Sequence, residues 1–142
     1  MTDTAKKPVS IFALYQTDQK AEEDGKWFDS FGPDISMKIR RFSSKKSQAV
    51  RTSLEKPYTK MTRNGALPED VQIDVFTSHL AEGIVVDWRG LYDTDGNEMV
   101  FSAGAAKKLF TDLPDLAREV VMLSINMDNF KTDHKDTVVG NS

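Results

Sequence analysis

The most regular pattern of apolar and polar positions lies at residues 35–40, with the sequence ISMKIR. The strict alternation predicts a β-strand that presents Ile35, Met37 and Ile39 on one face. Two apolar runs precede it, at residues 11–15 and 27–31, and the second ends at a Gly-Pro turn signal. We therefore predict a small antiparallel sheet at about residues 10–42.

The pattern changes to helical spacing after Ser44. A helix is predicted over residues 44–58, with Ala49, Val50 and Leu54 on its apolar side. Three more helices are predicted: one that begins at Pro68 and continues to Trp88, one over residues 103–112 that Ser102 caps, and one that begins at Pro114. The apolar stripe of the last helix consists of Leu116, Val120, Leu123, Met127 and Phe130. The predicted fold class is α+β and mainly helical, a small sheet followed by about four helices.

The length of 142 residues is typical of one domain. We expect a flexible lead at residues 1–9, a single compact domain at residues 10–130 and a disordered tail at residues 131–142. Apolar runs such as residues 84–86 are far too short to cross a bilayer, and no signal peptide is expected, so we expect no contact with a membrane. The chain contains no cysteine, which excludes disulfides and thiolate metal sites.

Charge is distributed unevenly around a net of −3. Residues 38–63 hold nine basic residues and one acidic residue, a local net of +8, whereas the flanking parts are acidic. The candidate basic face consists of Lys38, Arg40, Arg41, Lys45, Lys46 and Arg51. Such a segment could attract nucleic acid, but charge runs are more often solvated surface, and we favour pairing with the acidic half of the chain or with another subunit.

No set of residues indicates catalysis. The acidic turn at residues 93–97 lacks the glycine and glutamate spacing of a calcium-binding EF-hand, and we interpret it as a turn. Nucleotide-binding motifs are absent, and His79 and His134 are interpreted as surface histidines, because no Ser/His/Asp signature accompanies them. We expect a protein that is not an enzyme and that has no cofactor and no metal site. Trp27 and Trp88 are expected in the core, at about two to one over a binding role.

The order of motifs between residues 26 and 130 resembles the tail assembly chaperones of long-tailed bacteriophages. The resemblance rests on VVDWRGL at residues 85–91, on the Asp-x-Asp-Gly-Asn turn, on Phe101-Ser102 and on LPDLA at residues 113–117. Lys26-Trp27 and ISMKIRRF at residues 35–42 are also similar to one branch of that family. The signature residues, which are structural rather than catalytic, are Trp27, Trp88, Gly90, Asp95, Gly96, Ser102, Pro114 and Leu116.

The resemblance implies that the protein binds the tape measure protein and keeps it soluble until tail-tube subunits polymerise around it. It also implies possible contact with the tail-tube protein, self-association, a place in the host cytoplasm and absence from the mature virion. In many relatives a ribosomal frameshift appends a second domain, which would make this sequence the short form. The alternative is a small phage protein that binds nucleic acid or regulates through residues 38–63, although we expect nucleic-acid binding to be weak.

Overall fold

The computed structural model describes residues 7–132. Its architecture is α+β and mainly helical, as predicted, with a three-stranded antiparallel sheet packed against helices. The regular elements, in chain order, are α1 (Ile11–Tyr15), α2 (Gln19–Asp24), β1 (Lys26–Phe28), β2 (Ser36–Ile39), α3 (Lys45–Glu55), α4 (Thr59–Arg63), α5 (Glu69–His79), β3 (Val85–Arg89), α6 (Ala103–Asp112) and α7 (Pro114–Ile125). Short 3-10 turns at Lys56–Tyr58 and Met127–Phe130 complete the chain path. The predicted flexible lead and disordered tail lie largely outside the described residues.

The sheet has the strand order β1-β2-β3, with β2 in the centre. Met37 pairs with Phe28 on one side and with Trp88 on the other, and Met37 and Ile39 are fully buried. Their neighbours Ser36 and Lys38 are only partly buried on the opposite face. The alternation at residues 35–40 therefore predicted both the strand and its buried face correctly.

Two of the three predicted strands are present, as β1 and β2, but the first predicted strand is wrong. Residues Ile11–Tyr15 form the short helix α1 instead of a strand, capped by the Ser10 hydroxyl, which accepts from the Phe12 N–H. The charged segment between the two apolar runs contains α2, capped by Asp18. The third strand is β3, from a region that was predicted to be helical.

The long helix predicted from Pro68 to Trp88 ends at His79. A π-helical turn, Leu80–Ile84, then leads directly into β3. Gly83 lies in this turn, where an added Cβ would stand 3.1 Å from the Val50 Cβ. The prediction of one continuous helix is therefore wrong. Ile84 and Trp88 have helical spacing, but Trp88 is buried in β3, which pairs with β2, and Ile84 is buried in the turn before it.

The other helices agree closely with their predicted starts. The Ser102 hydroxyl accepts from the Ala105 N–H at 3.0 Å, and α6 covers Ala103–Asp112. Pro114 is the first residue of α7. In α3, however, Ala49 is exposed and Ser47 is fully buried, so the buried side of that helix is rotated from the predicted one.

One continuous hydrophobic core joins the sheet to the helices that follow it. Met37 and Ile39 come from β2, Ile84 and Trp88 from the region of β3, and Phe110 from α6. Its remaining buried members are Leu80, Ala81, Val85, Leu91, Ala106, Ala117 and Val120. None of the described helices is both long and apolar enough to cross a membrane.

Candidate functional site

Trp88 lies in the core, as predicted, with 5% of its surface exposed. Its indole Nε1 donates a hydrogen bond to the Met99 carbonyl oxygen at 2.7 Å, and its ring meets Phe101 edge-on at 5.0 Å between centroids. A buried indole needs such an acceptor, because an unpaired buried N–H is costly. Trp88 therefore anchors the connection between β3 and α6.

Trp27 is not a core residue, contrary to the prediction. It follows the alternation of β1, so Phe28 faces the core and Trp27 lies on the opposite face, where it pairs with Lys38. The Arg89 guanidinium lies 3.8 Å from the centre of the Trp27 ring, a cation–π arrangement. The partly buried Trp27 ring thus packs against a cation on the outer face of the sheet.

The remaining signature residues shape turns and helix ends. Gly90 has a positive φ of 76° and leaves no room for a side chain beside the Asp34 carbonyl. The Asp93 carboxylate accepts from the N–H groups of Asp95 and Asn97, and Gly96 has a φ of 82°, which makes this segment a tight turn as expected. Ser102 and Pro114 begin helices, and Leu116 is partly buried in α7. The signature residues are distributed through the fold and do not form one site.

Two residues of the candidate basic face form ion pairs with acidic residues of α2. Arg41 forms an ion pair with Glu22 at 2.6 Å, and Lys46 lies 3.5 Å from Asp24. Arg40 donates hydrogen bonds to the carbonyl oxygens of Glu23 and Gly83. These contacts support the interpretation that the segment pairs with the chain's own acidic residues.

Lys38 and Arg51 lie apart from that cluster. Lys38 is on the outer face of the sheet opposite Trp27, whereas Arg51 contacts Glu55 at 3.6 Å on α3 and lies over the Phe42 ring. Lys45 contributes its backbone N–H to the Glu23 carboxylate. The six residues therefore do not form a single basic face.

A groove between α3, α5 and α7 forms an apolar concavity. Its volume is about 340 Å³. Apolar side chains line it: Phe42, Leu67, Val75, Phe76 and Val121. Polar groups lie at its edges: Arg51, Glu55 and Gln72. We call this feature the apolar groove.

His79 lies in the wall of the apolar groove and is 4% exposed, so its interpretation as a surface histidine is wrong. Its Nε2 lies 2.8 Å from the Ser47 hydroxyl and 3.1 Å from the Ser47 carbonyl oxygen, and Phe42 meets the ring edge-on at 5.1 Å. Because a carbonyl oxygen only accepts, this geometry favours the tautomer with the proton on Nε2. His134 lies outside the described residues.

The electrostatics of this wall favour a neutral imidazole. Burial lowers the pKa of His79 below its usual value, and the positive charge of Arg51 acts in the same direction. The hydrogen bond to Ser47 and the negative charge of Glu55 oppose that change without cancelling it. The groove is consequently an apolar surface at neutral pH.

The apolar groove was not predicted as a site from the sequence. Val75 and Phe76 belong to α5 and Leu67 lies just before it, but Phe42 comes from the turn before α3 and Val121 from α7. The arrangement suits binding of an apolar surface. Within residues 7–132, no three potential metal-ligating side chains gather at one point.

Comparison with known proteins identifies a family. No curated protein and no solved structure matched the chain. The family model described as YdaY prophage protein matches residues 42–141, which include α3, α5, β3, α6 and α7. The apolar groove lies wholly within that span. A match over this share of the sequence confirms the phage origin implied by the resemblance, and this phage-derived chain belongs to the YdaY prophage protein family.

Proposed function

We propose that this protein is a phage tail assembly chaperone that binds the tape measure protein in the host cytoplasm and keeps it soluble, without catalysing a reaction and without entering the mature virion. The observation that carries the proposal is the apolar groove with its polar edges. The phage origin of the family supports the context. The choice of the tape measure protein as the partner rests on the resemblance over residues 26 to 130.

The groove has the chemistry that recognition of an amphipathic helix requires. A helix lays apolar side chains at positions i, i+3, i+4 and i+7 into such a groove. Phe42, Val75 and Val121 offer apolar contact, while the Arg51–Glu55 ion pair forms a polar edge beside the polar flank of the client. A tape measure protein is long and helical, so it presents stripes of this kind repeatedly.

Further apolar surface continues on the helices that form the groove. Ile73 and Phe76 of α5 are 49% and 41% exposed, and Met122 and Ile125 of α7 are 64% and 50% exposed. The binding free energy of each such contact is modest. Many copies on one long client would nevertheless bind it strongly, because linked sites act at a high effective concentration. Modest individual contacts also permit release when tail-tube subunits assemble.

We propose no second function for the basic segment, because three of its residues are held in ion pairs. Arg41 and Lys46 are engaged by Glu22 and Asp24, and Arg51 by Glu55. Phosphate binding would have to compete with these partners. We therefore keep nucleic acid out of the proposal.

Co-expression with the tape measure protein of the same phage tests the proposal. The wild-type chain should raise the soluble fraction of the client and co-purify with it. Phe76→Glu places a charge in the groove at a position that is already 41% exposed, and it should reduce the co-purified client by about tenfold or more, because burying one large apolar side chain is worth roughly 1.5–3 kcal/mol. Val100→Glu is the matched control, since Val100 is 79% exposed and lies outside the groove.

A truncation distinguishes the groove from the tail. Lys131 and Thr132 pair with Thr17 and Gln16, so the deletion should begin after Thr132. The truncated chain should retain its client. Retention of the client by Phe76→Glu, together with its loss on truncation, would show that the tail binds and that the groove does not.

A further inference from the structure

A second apolar surface lies on α1 and shares no residue with the apolar groove. Every side chain of this helix is exposed, and Ser10 and Gln16 mark its ends. The exposed fractions are 60% for Ile11, 71% for Phe12, 45% for Leu14 and 62% for Tyr15, and the preceding Val9 is 69% exposed. We call residues 9–15 the apolar arm.

The size of this surface requires an explanation. If a large residue carries about 200 Å² of surface, these exposed fractions leave roughly 600 Å² of accessible area on the arm, most of it apolar. That is at the upper end of the patch size that monomeric proteins expose, and such patches usually mark interaction sites. The apolar arm therefore has the character of an uncovered interface.

The helix itself also lacks a partner within the described chain. It has five residues and buries none of them. A helix this short is unstable in water, because too few hydrogen bonds form to offset the cost of its first turn. A contact that buries its side chains would provide the missing stabilisation.

The arm is nevertheless held at a defined place. Thr17 pairs with Lys131 in an isolated β-bridge, the Asp18 N–H donates to the Phe130 carbonyl oxygen at 2.7 Å, and the Thr132 N–H donates to Gln16. Beside the arm is an open depression of about 740 Å³, which Ile11, Phe12 and Tyr15 line together with residues 16–19 and Thr132. The depression is thus built partly from the arm itself.

We propose that the apolar arms of two copies of this chain pair antiparallel, each filling the depression beside the other, to form a symmetric dimer. An antiparallel pair centred between residues 12 and 13 brings Lys7 of one copy opposite Asp18 of the other. Both side chains are exposed, and Asp18 lines the depression. The same surface on each copy is then self-complementary in shape and in charge, as a two-fold interface requires.

The buried area can reach the size of a stable interface when the depressions contribute to it. Full burial of both arms would remove at most roughly 1,200 Å² from water, and a standard interface buries about 1,600 Å² in total, so the walls of the two depressions supply the remainder. A parallel arrangement would place Lys7 beside Lys7 and would lose the charge match. The dimer extends beyond the proposed function, because it needs no client and leaves the groove open.

Sedimentation of the purified full chain over about a hundredfold range of concentration tests the dimer, since association follows mass action. The wild-type chain should shift from monomer to dimer. Phe12→Glu should remain monomeric at every concentration, and its far-ultraviolet circular dichroism should differ from the wild type by no more than the five residues of α1 contribute, because Phe12 is exposed and lies outside the core cluster. Val100→Glu adds the same charge at another exposed site and should dimerise like the wild type. A wild-type chain that stays monomeric, or a Phe12→Glu chain that dimerises normally, overturns the proposal.

A double-mutant cycle tests the antiparallel orientation. Asp18 caps α2 by accepting from the Ala21 N–H, and asparagine caps equally well, so Asp18→Asn removes charge while keeping the cap. Lys7→Gln and Asp18→Asn should each weaken the dimer by about 3- to 30-fold, because two exposed ion pairs are lost per dimer. The double variant should be no weaker than either single variant. Independent, additive effects would overturn the antiparallel arrangement. Failure of client binding would leave these results unchanged, so the two proposals are tested separately.

Discussion

His79 Nε2 lies 2.8 Å from the Ser47 hydroxyl in the wall of the apolar groove, and both residues are buried. The two side chains join α3 to the end of α5, 32 residues apart in the chain. The ring is also held by the edge-on contact with Phe42. This pair fixes the shape of the groove at the point where the two helices meet.

The buried histidine predicts how stability depends on pH. Burial lowers the pKa of His79, so the unfolded chain binds a proton more readily than the folded chain. The free energy of unfolding should therefore be unaffected by this group above its unfolded pKa of about 6.5 and should decrease as the pH falls below it, by at most about 1.4 kcal/mol per pH unit. Urea unfolding between about pH 5 and pH 8 measures the slope.

The matched variants assign that slope to one residue. His79→Gln should lower stability at neutral pH and flatten the dependence around pH 6, whereas His134→Gln, which changes the other histidine of the chain, should retain it. If the slope survives in His79→Gln, another group is responsible for it.

Gly90 should tolerate no side chain. It combines a φ of 76° with an approach to the Asp34 carbonyl so close that an added Cβ would overlap the oxygen. Gly90→Ala should lower the free energy of unfolding by at least about 3 kcal/mol, because alanine is strained at this φ and its Cβ would also push away the backbone at Asp34.

Gly96→Ala is the control for backbone strain alone. Gly96 also has a positive φ, 82°, but nothing lies within 4 Å of its added Cβ. The expected cost is about 1–2 kcal/mol, the penalty of a left-handed conformation for an L-residue. Equal losses for the two variants in thermal or urea unfolding would contradict the steric explanation for Gly90.

Glu23 should stabilise the start of α3 from a distance. Its carboxylate accepts from the backbone N–H groups of Lys45 at 2.7 Å and Lys46 at 3.0 Å. Partial burial raises the pKa of Glu23, but these two hydrogen bonds and the lysine charges outweigh it, so that pKa is lowered. Because the folded-state pKa is the lower one, the contribution is present above about pH 4.5 and is lost as the pH falls through the folded-state value.

Glu23→Ala should therefore cost about 1 kcal/mol at pH 7, as loss of a helix cap does. Glu119→Ala removes an exposed carboxylate from α7 and should change stability by less than about 0.5 kcal/mol. The difference between the two variants should disappear at a pH well below the folded-state pKa of Glu23, where its carboxyl group is protonated in the folded chain as well. A persistent difference at that pH would mean that Glu23 acts through packing instead of through its charge.

Local chemistry in the sequence determined several elements by itself. Ser102 supplies a hydroxyl to the first free N–H groups of α6, Pro114 suits the first position of α7, and the alternation at residues 35–40 gives β2 one apolar face. These effects act within one or two turns of chain, so they can be inferred without knowing what packs against each element. The α+β, mainly helical class followed from the same local patterns.

Only the tertiary structure decided where distant segments meet. Residues 85–89 have apolar spacing compatible with a helix, but pairing with β2 satisfies their backbone and buries Val85 and Trp88 in a strand. Ile11–Tyr15 has strand propensity, yet no strand of the sheet pairs with it in the described chain, so its hydrogen bonds form locally as α1. His79 is buried because Ser47 faces it across two helices, and Trp27 is left at the surface because Phe28 takes the core side of β1. The burial of a residue depends on contacts with residues far apart in the sequence. Apolar periodicity indicates which residues will be buried, but it does not indicate which segment will pack against them.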